Sequence, residues 1–244
     1  MKNQYEKIGA AFQDARQMPV TRYLEAPSVL RAAEPIRGKS VIDFACGDGF
    51  FTREWKRLGA ERVVGVDLSP EMIDLARRQE EAQPIGIEYL IGDVSQKKTI
   101  GAFDLATAIF LFNYAADVET LARMIENVAG NLAPDGRLVA VVPNPDFVND
   151  RQDTRKYGYI VEELARGPAN IRVRMTFTEP RAFSIEFTQW EKATYETLLA
   201  AAGFGNICWT KFSVSDEGRE AFGAAFWQTT LDNPKSVIFS AVKG

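Results

Sequence analysis

Short apolar runs alternate with stretches of helical spacing along the first 143 residues. Val41, Ile42 and Phe44 flank Asp43 in the first run, which opens into Gly47-Asp48-Gly49. Phe50, Phe51, Trp55 and Leu58 follow at turn spacing, so this stretch predicts a strand, a tight glycine turn and a helix, the first half of a βαβ unit. The pattern then repeats. Val63-Val64-Gly65-Val66 is a second strand closed by Asp67, and Ser69, Pro70 and Glu71 start a second helix with a cap, a first-turn proline and an acid. Glu88 to Ile91 is a third strand and Phe103 to Ile109 a fourth. Asp117 caps a helix whose apolar face is Val118, Leu121, Ile125, Val128 and Leu132. Pro134-Asp135-Gly136 reads as a turn, and Leu138 to Val142 as a strand buried on both faces.

Beyond residue 143 the period changes. Residues 148–168 are polar, with Arg151, Asp153, Arg155 and Lys156 crowding the first half, and predict a surface insertion. Ile171, Val173, Met175 and Phe177 alternate with polar residues, as do Phe183, Ile185 and Phe187 after Glu179-Pro180-Arg181. Two such runs about a short turn predict a β-hairpin with one apolar face, which either roofs a pocket or only extends a sheet or a contact between copies. Tyr195, Leu198, Leu199 and Ala202 mark a helix, Ile207 to Val214 and Val237 to Val242 two closing strands, and Glu217 to Trp227 a helix between them. These elements predict one α/β domain with a helical N-terminal segment (1–38), a core (39–143), the hairpin insertion (144–190) and a closing segment (191–244).

Composition narrows the chemistry. At 244 residues with a net charge of −4 and no basic block, the chain has no electrostatic footprint for nucleic acid. Cys46 and Cys208 lack metal-ligand spacing, so no metal is expected. No apolar run reaches membrane-spanning length and no signal peptide is evident, which gives a cytoplasmic protein as the default expectation. The chain contains no histidine, so any general base must be a carboxylate, Tyr, Lys or solvent.

The first turn carries the sharpest signal. A dinucleotide fold wants G-x-G-x-x-G around a pyrophosphate, yet the third position is Thr52, and Asp43 and Asp48 stand where they would repel phosphate. A ligand bearing an ammonium and a sulfonium gains from both charges, so the loop favours S-adenosylmethionine (SAM) over NAD. Gly47 suits φ > 0, and Gly49 is expected to let a ligand touch bare backbone. D-x-x-x-G-x-G closing a first strand, with acids after the second and third, resembles the class I SAM-dependent methyltransferases. That resemblance implies a Rossmann-like, doubly wound seven-stranded sheet with an antiparallel final strand, residues 1–38 as a helical lid, SAM as cofactor and S-adenosylhomocysteine (SAH) as product. It implies that Asp67 accepts from the ribose hydroxyls, Asp93 from the adenine amino group, and that the Val94 amide serves the neighbouring ring nitrogen. Asp43, Ala45, Gly47, Gly49, Leu68, Met72, Gly92 and Phe110 complete the implied cofactor set, with Arg22 pairing the methionine carboxylate; Met72 and Arg22 read equally well as core and solvated residues.

On the acceptor side the resemblance implies Asn113 and Tyr114, with Tyr5, Phe12 and Trp190 as further substrate contacts, and Tyr114 or Asp117 assisting catalysis if positioning alone does not suffice. Asn144-Pro145-Asp146-Phe147 is similar to the motif of nucleic-acid amino methylases but follows the fifth strand instead of the fourth, so it is read as a loop. A narrower likeness, carried by R-Y-L-E-A-P-S-V, I-F-L-F-N-Y-A and A-F-W-Q-T-T-L-D-N-P, is to bacterial enzymes acting on small metabolites, the toxoflavin (azapteridine) N-methyltransferase group among them. The implied reaction is methyl transfer to a nitrogen or oxygen of a flat heterocyclic or aromatic secondary metabolite, by a monomer or homodimer. An NAD-dependent oxidoreductase and a non-catalytic SAM-binding sensor stay open at this point.

Overall fold

The computed structural model describes residues 14, 16–148, 154–178 and 182–244. Five parallel strands, from one edge inward, make up most of one sheet: β1 (Ser40–Phe44), β2 (Arg62–Asp67), β3 (Ile87–Ile91), β4 (Phe103–Ile109) and β5 (Leu132–Pro143). With β9 (Phe204–Thr210) and β10 (Ser236–Lys243) the seven-stranded order is β3-β2-β1-β4-β5-β10-β9, β10 running antiparallel to both neighbours. This is the Rossmann-like arrangement that the resemblance implies, with its antiparallel final strand. Helices α1 (Ala26–Ala33), α2 (Phe50–Arg57), α3 (Pro70–Ala82), α4 (Val118–Gly130), α5 (Lys192–Ala201) and α6 (Asp216–Asp232) complete the domain.

Adjacent strand residues point to opposite faces, and the core divides accordingly. Val41, Val63, Leu105 and Val139 pack with Val29, Trp55 and Ile73 on one side. Ile42, Val64, Ala106 and Ala140 pack with Leu121, Ile125, Val128 and Leu199 on the other. Both faces are covered by helices, which is why these strands are continuous apolar runs. The predicted caps form: Ser69 Oγ accepts from the Met72 amide at 3.4 Å and Asp117 Oδ1 from the Thr120 amide at 2.7 Å.

Three local details differ from the sequence pattern. Pro134-Asp135-Gly136 lies within β5 as an irregularity, where the register to β4 shifts between Phe103 and Leu105 and Asp135 takes φ 60°. Helix α6 is broken at Gly223 (φ 73°, ψ 161°). Among its described residues the insertion holds three strands rather than two: β6 (Tyr159–Arg166), β7 (Asn170–Phe177) and β8 (Phe183–Trp190), paired antiparallel in that order. β6 hides from the pattern because it is an edge strand, exposed from Glu162 onward and therefore charged. Among the described residues, no helix is long and apolar enough to cross a membrane.

Candidate active site at the strand ends

All five parallel strands end at one cavity of about 460 Å³. Ala45, Asp67, Gly92, Phe110 and Pro143, each at or just past the carboxyl end of its strand, line it. The strand order reverses between β1 and β4, and ligands of open α/β sheets bind in the crevice at that switch point. Ala45 and Phe110 follow these two strands, and both take a left-handed backbone (φ 58° and 56°) despite their side chains. Non-glycine residues held there cost of order 1–3 kcal/mol each and cluster at ligand sites.

Asp67 is the acid on the cavity wall beside this loop. Its Oδ2 accepts from the Gly47 amide and its Oδ1 from the Ser69 amide, each at 2.8 Å. Burial pushes its carboxyl upward, and the backbone N–H groups of Ser69 and Gly47 partly reverse that. Two amides leave lone pairs on the carboxylate for a further donor. Leu68, half exposed, and Met72, buried, line the cavity next to it. On the β3 side Gly92, Asp93, Val94 and Ser95 form the wall. Asp93 Oδ1 accepts from the Ser95 amide at 2.9 Å and its hydroxyl at 2.7 Å. Two buried asparagines of α4 and its C-terminus brace the segment that follows. Asn127 donates to the Val94 carbonyl at 3.1 Å, and Asn131 donates to Lys98 at 2.8 Å and accepts from the Ile100 amide at 2.6 Å.

The two carboxylates expected to face a ligand do something else. Asp43 is 1% exposed and absent from the cavity wall, its oxygens accepting from Thr107 (2.6 Å) and Thr52 (2.7 Å) hydroxyls. Thr52, the residue that departs from the dinucleotide glycine pattern, is thus a clamp on Asp43. Asp48 is ion-paired with Arg16. Burial first, and then the neighbouring Asp67, Asp43 and Asp48, push the Cys46 thiol well above its usual range. Gly49 also corrects the expectation. It does not line the cavity; a Cβ on it would collide with the Tyr89 hydroxyl and lie 2.9 Å from Tyr89 Cζ, so Gly49 makes room for a side chain from β3 and not for a ligand.

Burial pushes the Asp43 carboxyl from 3.8 up to about 6, against the lowering effect of the two threonine hydroxyls. The folded protein therefore keeps this proton to higher pH than the unfolded chain does. The resulting stabilisation is full below the unfolded pKa and is lost as pH rises through about 6. At roughly 1.4 kcal/mol per pKa unit, wild type should lose about 3 kcal/mol relative to Asp43→Asn between about pH 3 and about pH 8. Denaturant unfolding of both proteins across that range checks it, and parallel pH profiles would contradict the buried-charge assignment.

The other expected residues divide cleanly. Asn113 and Tyr114 line the cavity; Asn113 is 2% exposed and its Oδ1 has no hydrogen-bond partner among the described residues. Met175, Phe177, Ile185 and Phe187 bring the apolar face of β7 and β8 down onto the cavity, so the insertion is a roof. Trp190 is not part of it. It sits at even parity on β8, opposite to Ile185 and Phe187, and is buried with the core cluster around Phe112 and Tyr195. Asp117 is not on the cavity wall; it is a solvent-exposed helix cap whose hydrogen bonds from Thr120 lower its pKa. Arg22 is exposed, pairs with Glu217 at 3.4 Å and stands away from this cavity. Arg16 occupies the wall instead, with its guanidinium 5.0 Å from the Phe50 ring centroid. Tyr5 and Phe12 lie outside the described residues. Asn144 of the motif read as a loop is a clamp, donating to the Pro234 carbonyl at 2.8 Å and accepting from Gln189 at 2.9 Å.

Sequence reasoning missed Arg16 and a second group on the wall, Glu25 with Lys235 and Ser236. Glu25 and Lys235 are 210 positions apart, so only the missing histidine, which points to carboxylates, could have drawn attention to Glu25.

Comparison with known proteins agrees with this geometry. Residues 41–136 match the methyltransferase domain family. The chain is 30% identical over 169 residues to the ubiquinone biosynthesis O-methyltransferase of Coxiella burnetii, covering 69% of this chain and 68% of that protein. It is 27% identical over 169 residues to the N-demethylindolmycin N-methyltransferase of Streptomyces griseus, covering 68% and 70%. The fold is shared with an S-adenosylmethionine dependent methyltransferase from Mesorhizobium loti (TM-score 0.66, 23% identity, 94% of this chain and all of that one). The chain belongs to the class I SAM-dependent methyltransferases.

Proposed function

We propose that this enzyme methylates a nitrogen or oxygen of a small, flat heterocyclic or aromatic metabolite. The observation that carries the reading is the continuity of the cavity. It runs from the acids after β2 and β3 to the apolar roof of β7 and β8, within about 460 Å³, the size of small-molecule sites. One end suits an adenosyl group and the other a compact apolar partner. The relatives include one O- and one N-methyltransferase by name, which keeps both acceptor atoms open. The likeness to the toxoflavin N-methyltransferase group, and with it a role in secondary metabolism, supports the nitrogen reading.

SAM, when bound, supplies a methyl group on a positively charged sulfur whose departure as a neutral thioether needs no acid. The residues present fit it. Asp67 would accept from the ribose hydroxyls, Leu68 and Met72 would pack on the adenine, and Asp93 with the Val94 amide would read its edge. Ala45 and Gly47 offer backbone at the turn. Arg16, not Arg22, would meet the methionine carboxylate, because its guanidinium is on the cavity wall. Phe110 would separate the two halves, with Asn113 and Tyr114 turned to the acceptor. What the protein contributes to rate is alignment and exclusion of water beneath the roof.

Incubation with methyl-labelled SAM and a bacterial extract divided into small-molecule, protein and nucleic-acid fractions tests the reading. Label should enter the small-molecule fraction; label confined to protein or nucleic acid would contradict it. Arg16→Met should weaken SAH about tenfold, the worth of one charge-assisted hydrogen bond, while Arg22→Met leaves affinity unchanged. The reverse order, measured by calorimetry, would restore the Arg22 assignment.

A further inference from the structure

We propose that Glu25, positioned by Lys235, is the group that takes the proton from the acceptor atom as it is methylated. The inference rests on the small-molecule methyltransferase reading above and names a catalytic residue for it.

Glu25 ends a π-helical turn, Thr21–Glu25, inserted just ahead of α1. Such turns are rare and concentrate at functional sites. This one points both Thr21 and Glu25 at the cavity. The Glu25 carboxylate accepts from Lys235 Nζ at 2.7 Å and Ser236 Oγ at 3.3 Å through Oε1, and from Thr21 Oγ1 at 3.3 Å through Oε2. Three donors on a carboxylate leave one acceptor position. The side chains of Glu25 and Lys235 are 10% and 12% exposed. A buried ion pair is a weak source of stability, so its place on a binding cavity asks for another explanation.

Position along the sheet separates this pair from the cofactor acids. Asp67 and Asp93 follow β2 and β3, on one side of the β1–β4 switch point. Lys235 and Ser236 enter β10, where Ser236 pairs with Pro143 at the end of β5, on the other side. Phe110, at the end of β4, lies between, and Lys235 Nζ stands 5.5 Å from its ring centroid. Lys235 is also 5.4 Å from the ring of Tyr159, a residue of the roof sheet that faces the same charge. Glu25 is therefore on the acceptor half.

Burial and position set aside the thiol and the other carboxylates of the wall. The Cys46 thiol is pushed far up by burial and its acidic neighbours. Asp67 and Asp93 stand on the adenosyl side, after β2 and β3. The chain has no histidine. In the balanced step the acceptor's nitrogen or oxygen lone pair forms the bond to the methyl carbon while the carbon–sulfur bond gives its electron pair to sulfur. The proton carried by that atom passes to the Glu25 carboxylate, and from there to solvent.

The test uses lumazine, uracil and catechol as acceptor probes with labelled SAM, and SAH binding by calorimetry on the same samples. Glu25→Gln should lower kcat on the probe that turns over by about 100-fold while SAH affinity stays within about twofold. Lys235→Met should lower kcat about tenfold and raise the probe KM little, as expected of a group acting through Glu25. The double variant Glu25→Gln/Lys235→Met buries no unpaired charge, so it keeps the fold testable and should be no faster than Glu25→Gln. Turnover by Glu25→Gln within about threefold of wild type overturns the inference, as does loss of SAH affinity with kcat intact. Failure of wild type to methylate any probe, with SAH still bound, also overturns it and leaves the methyltransferase reading standing; absence of SAH binding would remove that reading itself.

Discussion

Asp67→Ala should abolish most of the affinity for SAH while leaving the protein folded. The carboxylate sits on the cavity wall with two backbone amides on it and lone pairs to spare. Two hydroxyl donors to a charged acceptor are worth about 3 kcal/mol or more together, which is a loss on the order of 100-fold. Stability should change little, because removing a carboxylate whose pKa burial has raised relieves a charge while leaving the Gly47 and Ser69 amides without this partner. Calorimetric titration together with a thermal unfolding scan separates the two effects. Affinity within about threefold of wild type would mean that the ribose is held elsewhere.

Gly49→Ala should be the opposite kind of variant, damaging the fold first. Gly49 has φ 85°, and its missing Cβ leaves room for the Tyr89 ring. Tyr89 is wedged a second time against Gly65, where a Cβ would come within 2.8 Å of Cδ1. A left-handed alanine and an overpacked contact each cost about 1–3 kcal/mol, so a loss of roughly 4 kcal/mol is expected, about 10 °C in Tm for a chain of this size. The Tyr89 hydroxyl is buried with no hydrogen-bond partner among the described residues. Tyr89→Phe should therefore be close to neutral alone and should recover part of the loss when combined with Gly49→Ala. Additive single effects in that cycle would show that the strain lies in the backbone and not in the ring contact.

These two residues also show what the sequence makes legible. Asp67 is readable because a parallel strand announces itself as an apolar run and its last residue is then at the crevice by topology. The same logic locates Ala45, Gly92, Asp93, Val94, Phe110 and Asn113. Gly49 is readable as a residue that must be glycine, but not why, since the reason is a tyrosine on another strand. Charge in the first turn was overvalued for the same reason. Thr52 and Thr107 absorb Asp43 and Arg16 absorbs Asp48, contacts that no local pattern encodes. Trp190 is a parity error: counting from Ile185 and Phe187 puts an even residue on the far face of β8, toward the core. Glu25 is invisible from sequence because its partner enters from the last strand, 210 residues on.

An adenosyl donor should lie across the ends of β1, β2 and β3, leaving the half under β7 and β8 for the acceptor. A crystal structure of the complex with SAH tests it most directly. The ribose should sit on Asp67 and the adenine between Leu68 and Asp93, with the sulfur beside Phe110 facing Asn113 and Glu25 across open volume. Adenine found under Phe177 and Phe187, or a sulfur walled off from Asn113, would contradict it.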